Sequence, residues 1–121
     1  MPLIMVVDDS PTERAFCCGV LRPLGLNVVE FDNGEDAVAN VRNLKPDLII
    51  LDVVMPKLNG YQTCRKIKRD EATKDIPVIM LTSKGESADK AWGMRQGAEL
   101  YLVKPTTEEA LLGAVRQYIK I

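Results

Sequence analysis

Four short apolar runs in this chain each end on a polar residue whose side chain can do chemistry. They are Leu3–Val7 before Asp8 and Asp9, Leu48–Leu51 before Asp52, Val78–Leu81 before Thr82, and Leu100–Val103 before Lys104. If these runs are parallel strands of one sheet, the polar residues emerge together at its carboxyl edge, where open α/β sheets bind ligands. The sequence therefore predicts a cluster of three carboxylates, a hydroxyl and an ammonium group.

Such a cluster suits a divalent metal and a phosphoryl group. Close carboxylates repel one another unless a cation is bound, and Mg²⁺ is typically held by one or two carboxylates together with phosphate oxygens. Transfer of a phosphoryl group to Asp52 would give an aspartyl phosphate, a known type of covalent intermediate. Lys104 would add a second positive charge and Thr82 a hydroxyl donor, so catalysis would consist mainly of positioning and charge neutralisation.

Taken one at a time, these residues have ordinary explanations. Asp8 and Asp9 can be turn residues before a helix, a threonine after a strand is often a helix cap, and a lysine there is usually solvated. The convergence of several such strand ends on one edge favours the functional interpretation. Lys104 also precedes Pro105, and an X-Pro bond can adopt the cis form.

Strand-like and helix-like segments alternate five times, which is typical of βαβ units and a parallel sheet covered on both faces. The one predicted strand outside the four apolar runs is Asn27–Phe31, and the run Leu48–Leu51 is extended back to Asp47 as the third strand. The predicted helices run from Pro11 to about Arg22, from about Glu35 to Asn43, Tyr61 to Asp70, Gly85 to Gln96 and Thr106 to Ile119. Ser10 and Glu13 predict a capping box for the first helix, which Pro23 and Gly25 end. Gly93 lies inside the fourth helix, where it costs about 1 kcal/mol relative to alanine.

Composition restricts the classes of protein. With 121 residues and a start at Met1, we expect one complete domain over residues 1–121, without an output domain. The net charge is −1, and the basic cluster Arg65–Arg69 is expected to be a solvated helix face, so no nucleic-acid binding is predicted. No apolar stretch is long enough to cross a bilayer and no leader pattern is present, so we expect a cytoplasmic protein without membrane insertion.

Cysteine and histidine content excludes several chemistries. Cys17, Cys18 and Cys64 are odd in number and form no C-x-x-C pair, so they are expected to be buried or half-buried thiols rather than a disulfide framework or a zinc site. The chain has no histidine, which excludes Ser-His-Asp and Cys-His catalysis. It also lacks the glycine-rich patterns of nucleotide-binding loops.

The ordered set of motifs resembles the response-regulator receiver family over essentially the whole chain. The motifs are Asp8-Asp9, Asp52 followed by Met55-Pro56 and Asn59-Gly60, Thr82-Ser83, Gly97-Ala98 and Lys104-Pro105. The resemblance implies an α/β fold with five parallel strands in the flavodoxin-like order 2-1-3-4-5. Within the family, the chain resembles single-domain receivers of chemotaxis and twitching motility.

By this resemblance Asp52 is the phosphorylation site. Asp9, Asp52 and the backbone carbonyl of Val54 bind Mg²⁺ directly, and Asp8 binds it through a water. Thr82 and Lys104 contact the phosphoryl group.

The resemblance also implies a switch, in which Thr82 moves toward the phosphoryl group and Tyr101 swings inward. The readout is the face formed by the fourth helix, fifth strand and fifth helix, and Gly93 is expected to ease its movement. Val54 and Lys84 occupy positions that tune how fast the phosphoryl group is lost to water.

The implied partners are a sensor histidine kinase or phosphotransfer domain and an unidentified protein target. Two roles stay open, an output protein that binds a target and a shuttle or sink for phosphoryl groups. The chain would not be a conventional enzyme, because it catalyses only its own phosphorylation and dephosphorylation. A haloacid-dehalogenase-type phosphatase needs a carboxylate two residues after the nucleophile, where Val54 stands. A phosphate-independent interaction module would be expected to have lost site residues, and none is missing.

Overall fold

The computed structural model describes residues 2–121 as a five-stranded parallel sheet with helices on both faces. The strands are β1 (Leu3–Val7), β2 (Asn27–Phe31), β3 (Leu48–Leu51), β4 (Val78–Thr82) and β5 (Leu100–Val103). The helices are α1 (Pro11–Leu21), α2 (Gly34–Leu44), α3 (Gly60–Arg69), α4 (Ser87–Arg95) and α5 (Glu108–Val115), with a 3-10 turn at Arg22–Leu24. Every residue of β3 and β4 is buried, as parallel strands covered on both faces require.

The strand order is β2-β1-β3-β4-β5, which confirms the predicted topology. Register brings the polar residues together. Val7 pairs with Leu51, so Asp8 and Asp52 leave the sheet side by side. Thr82 pairs with Val103 of the neighbouring strand, so Lys104 lies one position further than Thr82 toward the carboxyl edge of the sheet. Because all pairings are parallel, these residues share the carboxyl edge.

The core has one layer on each side of the sheet. Ile4 and Val6 pack with α1 and α5 residues such as Leu21 and Leu111. Met5 and Val7 point to the other layer, with α2 and α3 residues such as Ala37 and Cys64. This alternation along β1 follows from the two-residue period of a strand. The central strands are thereby held on both faces, which gives the site a rigid base.

Several helix boundaries differ from the sequence prediction. The predicted capping box of α1 is only half formed: the Ser10 hydroxyl accepts from the Glu13 N–H at 3.3 Å, but the Ser10 N–H donates to Asp8 Oδ1 at 2.9 Å. The aspartate competes for the donor that Glu13 was expected to satisfy. The last helix runs over Glu108–Val115 instead of Thr106–Ile119, although Ile119 remains buried in the core. The fourth helix begins at Ser87 instead of Gly85.

The three cysteines are buried and unpaired, as predicted. Burial raises the pKa of Cys17 and of Cys64 to about 12, so both thiols stay protonated at neutral pH. Across residues 2–121, no helix has the length and apolar character needed to cross a membrane.

Candidate functional site

Three carboxylates meet at the carboxyl edge of the sheet, as the sequence predicted. Asp8 and Asp52 are buried, Asp9 is exposed, and one oxygen of each lies within 4.8 Å of the others. The donor set consists of oxygen atoms alone, which is the chemistry that Mg²⁺ prefers. The cluster also opens to solvent through Asp9, so a hydrated ion has a route of entry. The residues present therefore fit the predicted magnesium site.

Asp52 is oriented by the loop that follows β3. Its Oδ1 accepts from the Val53 N–H at 2.7 Å, and its own N–H donates to the Val7 carbonyl at 2.9 Å. Gly60 packs directly beneath this loop, where a Cβ would overlap the Asp52 carbonyl oxygen, and its N–H donates to the Val53 carbonyl at 2.9 Å. The start of α3 thus supports the backbone around Asp52.

Lys104 points into the acidic cluster. Its Nζ lies 2.8 Å from Asp8 Oδ2, 3.5 Å from Asp52 Oδ2 and 3.8 Å from Glu13 Oε2. The Lys104–Pro105 peptide bond is cis, and the Lys104 N–H donates to the Thr82 carbonyl at 2.8 Å. One ammonium group therefore faces three carboxylates.

The pKa shifts report this charge imbalance. Burial raises the pKa of Asp52 and the charge of Asp8 raises it further, while Lys104, Thr82 and the Val53 N–H act in the opposite direction. Burial lowers the pKa of Lys104, but the hydrogen bond to Asp8 and the nearby carboxylates outweigh it, so the pKa lies above its ordinary value. A single lysine does not fully compensate the buried carboxylates, which favours binding of a further cation.

Thr82 and Tyr101 both contact the backbone of Lys84. The Thr82 hydroxyl accepts from the Lys84 N–H at 3.4 Å, and the Tyr101 hydroxyl donates to the Lys84 carbonyl at 2.7 Å. Both side chains are buried, and burial raises the pKa of Tyr101, so its phenol remains a donor. The segment that follows β4 therefore connects the acidic cluster to a side chain of β5.

Val54, beside Asp52, is an exposed apolar residue, with 53% of its surface accessible. The structure also brings Glu13 to the site, a residue that sequence reasoning used only as a helix cap. Its place four residues after Asp9, in the first turn of a helix that starts at the site, is the signal that could have identified it. Among the described residues, Asp8, Asp52 and Glu13 are the three whose carboxylates lie within 4 Å of the Lys104 ammonium group.

Comparison with known proteins agrees with this geometry. The family model for the response regulator receiver domain matches residues 4–116. The chain is 47% identical over 115 residues to protein PilH of Pseudomonas aeruginosa, a match that covers 95% of each protein.

Solved structures show the same fold. The chemotaxis protein CheY4 of Vibrio cholerae superposes with a TM-score of 0.92 at 30% identity, covering 98% of this chain and 99% of that one. The receiver domain of the sensor histidine kinase PA1611 from Pseudomonas aeruginosa gives a TM-score of 0.89 at 28% identity, covering 97% and 96%. That structure has a magnesium ion coordinated in its active site cleft. With its strand order, its acidic edge and a family match over most of its length, this chain belongs to the response regulator receiver domain family, whose members are the phospho-accepting signalling proteins of two-component systems.

Proposed function

We propose that Asp52 is the residue that accepts the phosphoryl group, from a phosphohistidine of a sensor histidine kinase or phosphotransfer domain. The observation that supports Asp52 over Asp8 is the difference in their contacts. Asp8 uses both carboxylate oxygens, at 2.9 Å from the Ser10 nitrogen and 2.8 Å from Lys104 Nζ. The Oδ2 atom of Asp52 lies 3.5 Å from Lys104 Nζ, a longer distance than that of Asp8. This oxygen is therefore more available as a nucleophile.

Asp9, Asp52 and the backbone carbonyl of Val54 would hold Mg²⁺ directly, and Asp8 would hold it through a water. The clustering of the three carboxylates within 4.8 Å supports this assignment. When bound, the ion supplies positive charge that neutralises the phosphoryl oxygens during transfer.

In the transfer step, an oxygen of Asp52 forms a bond to phosphorus while the phosphorus–nitrogen bond of the donor breaks. The bonding electron pair leaves with the imidazole nitrogen, which takes up a proton. Lys104 turns from Asp8 to donate to one phosphoryl oxygen, and the Thr82 hydroxyl donates to another. The chain catalyses this step and the later hydrolysis of its own aspartyl phosphate, and it needs no other substrate.

The added phosphoryl group brings roughly −1.5 to −2 charges next to Thr82. When Thr82 turns toward it, the contact with the Lys84 N–H at 3.4 Å is lost. Tyr101 holds the carbonyl of the same residue, so the change reaches β5 and α4. The readout is the α4–β5–α5 face, with a coupling free energy of typically 1–3 kcal/mol.

Residues 1–121 would act as one receiver domain whose phosphorylation controls binding of a protein target, in chemosensory or motility signalling. The similarity to a chemotaxis protein supports this setting. Output protein and phosphoryl shuttle both remain compatible with the site, and the cytoplasmic location remains a prediction.

The test is incubation with acetyl phosphate and Mg²⁺, followed by intact mass and peptide mapping. We expect the wild-type protein to gain one phosphoryl group on the peptide that contains Asp52, only when Mg²⁺ is present. Asp52→Asn should gain none. Asp75→Asn, at an exposed aspartate outside the cluster, is the matched control and should behave as wild type.

Phosphorylation of Asp52→Asn at a neighbouring carboxylate would contradict the assignment of the acceptor. Failure of the wild-type protein to gain a phosphoryl group, together with failure to bind Mg²⁺, would instead favour a phosphate-independent interaction module.

A further inference from the structure

A groove with basic and aromatic walls lies between α3 and α4, away from the acidic cluster. Two adjoining cavities of about 270 Å³ each share Arg65 and Gln96. We call this the α3–α4 groove and define it by Tyr61, Arg65, Arg69, Trp92, Arg95 and Gln96. Tyr61 also lines a neighbouring cavity beside Val54 and Lys84, whereas the other five residues lie outside the phospho-acceptor site. The groove therefore needs its own explanation.

The lining of the groove carries positive charge only, although the net charge of the chain is −1. Lys68 also lines it, but its ammonium group is committed to Glu99 at 2.9 Å and to the Ile76 carbonyl at 2.7 Å. Arg65, Arg69 and Arg95 make no ion pair with any carboxylate of residues 2–121. An anionic ligand can therefore reach the guanidinium groups of Arg69 and Arg95, and also the terminal nitrogens of Arg65, whose Nε donates to Gln96.

Sequence reasoning expected these basic residues to be a solvated helix face. Arg65, Lys68 and Arg69 are spaced at i, i+3 and i+4, which places them on one side of α3. Arg95 reaches the same cavity from α4, a placement that only the packing of the two helices decides. Arg65 and Arg69 are exposed, as a solvated helix face requires, and the approach of Arg95 makes the basic surface concave.

The groove is also preorganised and offers an aromatic surface. Arg65 Nε donates to Gln96 Oε1 at 2.8 Å, and the Tyr61 hydroxyl donates to the Asp89 carbonyl at 3.1 Å, so contacts between the two helices hold the walls together. Trp92 is 42% exposed, and the Arg95 guanidinium lies 5.8 Å from its ring centroid. Tryptophan, tyrosine and arginine are the residue types most enriched at protein-binding hot spots.

We propose that the α3–α4 groove binds an acidic segment of a partner protein. Carboxylates of the segment pair with Arg65, Arg69 and Arg95, a geometry in which guanidinium groups make two parallel hydrogen bonds. An apolar side chain of the segment packs against Trp92. The basic residues are confined to one short groove and do not form a stripe that could follow a nucleic-acid backbone, which favours a peptide. The proposal does not depend on phosphorylation of Asp52.

Trp92 is the only tryptophan of the chain, so its fluorescence reports on the groove. The probe is a short fluorescein-labelled peptide of glutamate and aspartate around a central leucine, titrated at low salt. A neutral peptide with glutamine and asparagine in their place, and a single-stranded oligonucleotide of similar length, are the comparison ligands. We expect binding of the acidic peptide, with a change in Trp92 fluorescence, and markedly weaker binding of both comparison ligands.

Two double variants with equal changes in charge separate the groove from the net charge. Arg69→Gln with Arg95→Gln removes one cation from each wall, whereas Lys66→Gln with Lys90→Gln removes one from each of the same helices outside the groove. We expect the first pair to weaken peptide binding about fivefold or more, and the second to change it by less than about twofold. Peptide anisotropy measures the affinity, and amide chemical shifts of the wild-type protein locate the site even if a variant folds poorly.

Equal weakening in the two double variants would overturn the proposal, because it would show only nonspecific attraction. So would chemical-shift changes confined to other helices, or no binding of the acidic peptide by the wild-type protein. Tighter binding of the oligonucleotide than of the peptide would point to a nucleic-acid ligand instead.

Discussion

Gly93 and Gly113 occupy equivalent positions in two helices, and alanine should have opposite effects on stability at the two sites. Each is the third residue from the end of its helix. A Cβ at Gly93 would lie 2.8 Å from both Met80 Sδ and Tyr101 Cδ2, closer than real Cβ contacts allow. A Cβ at Gly113 would meet no atom within 4 Å. The pair therefore separates packing from helix propensity.

The magnitude follows from two opposing terms. Replacing glycine by alanine within a helix stabilises it by roughly 0.5–1 kcal/mol. Forcing a methyl group into a well-packed region costs about 1–3 kcal/mol. Gly113→Ala gains only the helix propensity of alanine, whereas Gly93→Ala also pays the packing cost of the added methyl group. The difference in unfolding free energy between the two variants should therefore be about 1–3 kcal/mol, with Gly93→Ala the less stable.

Urea unfolding followed by circular dichroism measures this difference, with a second matched glycine at Gly19, where a Cβ also meets nothing within 4 Å. The methyl group at Gly93 should also displace the Tyr101 ring and weaken its 2.7 Å bond to the Lys84 carbonyl. If Gly93→Ala stabilises the protein as much as Gly113→Ala does, the close packing of Tyr101 and Met80 against α4 is refuted. That Gly93 eases movement of this helix stays a prediction, and the structure adds that its missing side chain makes room for Tyr101.

Two further predictions concern the site and the ion pair between Arg42 of α2 and Asp70 at the end of α3. Val54 is apolar and 53% exposed, so its side chain does not orient a water for attack on phosphorylated Asp52. Val54→Asn should therefore lose the phosphoryl group faster than wild type after the donor is removed, as measured by intact mass. A longer-lived phosphorylated variant would contradict this prediction. Hydrogen bonds from Arg42 at 2.9 and 3.1 Å lower the pKa of Asp70. The pair therefore stabilises the fold above the unfolded carboxyl pKa of about 4, and this contribution is lost as the pH falls through the lower folded value. Asp70→Asn should reduce stability at neutral pH, and the difference from wild type should shrink as the pH falls below the unfolded carboxyl value. A difference in urea midpoint that does not shrink would rule out the ion pair as its cause.

The strands could be predicted closely because their signal is local. A strand buried on both faces must be apolar along its whole length, so Leu3–Val7 is visible as an uninterrupted run and has the predicted bounds. Leu100–Val103 also has the predicted bounds, although β5 lies at the edge of the sheet and is only partly buried. Helix ends are harder to predict from the sequence, because the same backbone donor has several possible acceptors. At the start of α1, Asp8 takes the Ser10 N–H that a capping box would have given to Glu13.

The sequence by itself determined which side chains meet at the carboxyl edge, because parallel strands that end in polar residues bring those residues to one edge regardless of the details of packing. Only the tertiary structure decided the distances within that cluster, including the approach of Glu13 to Lys104 at 3.8 Å. It also decided that Arg95 joins the basic residues of α3 in one groove. Contacts between side chains on separate helices depend on how those helices rotate and pack against the sheet, and hydrophobic periodicity specifies the buried face of a helix without specifying its neighbours.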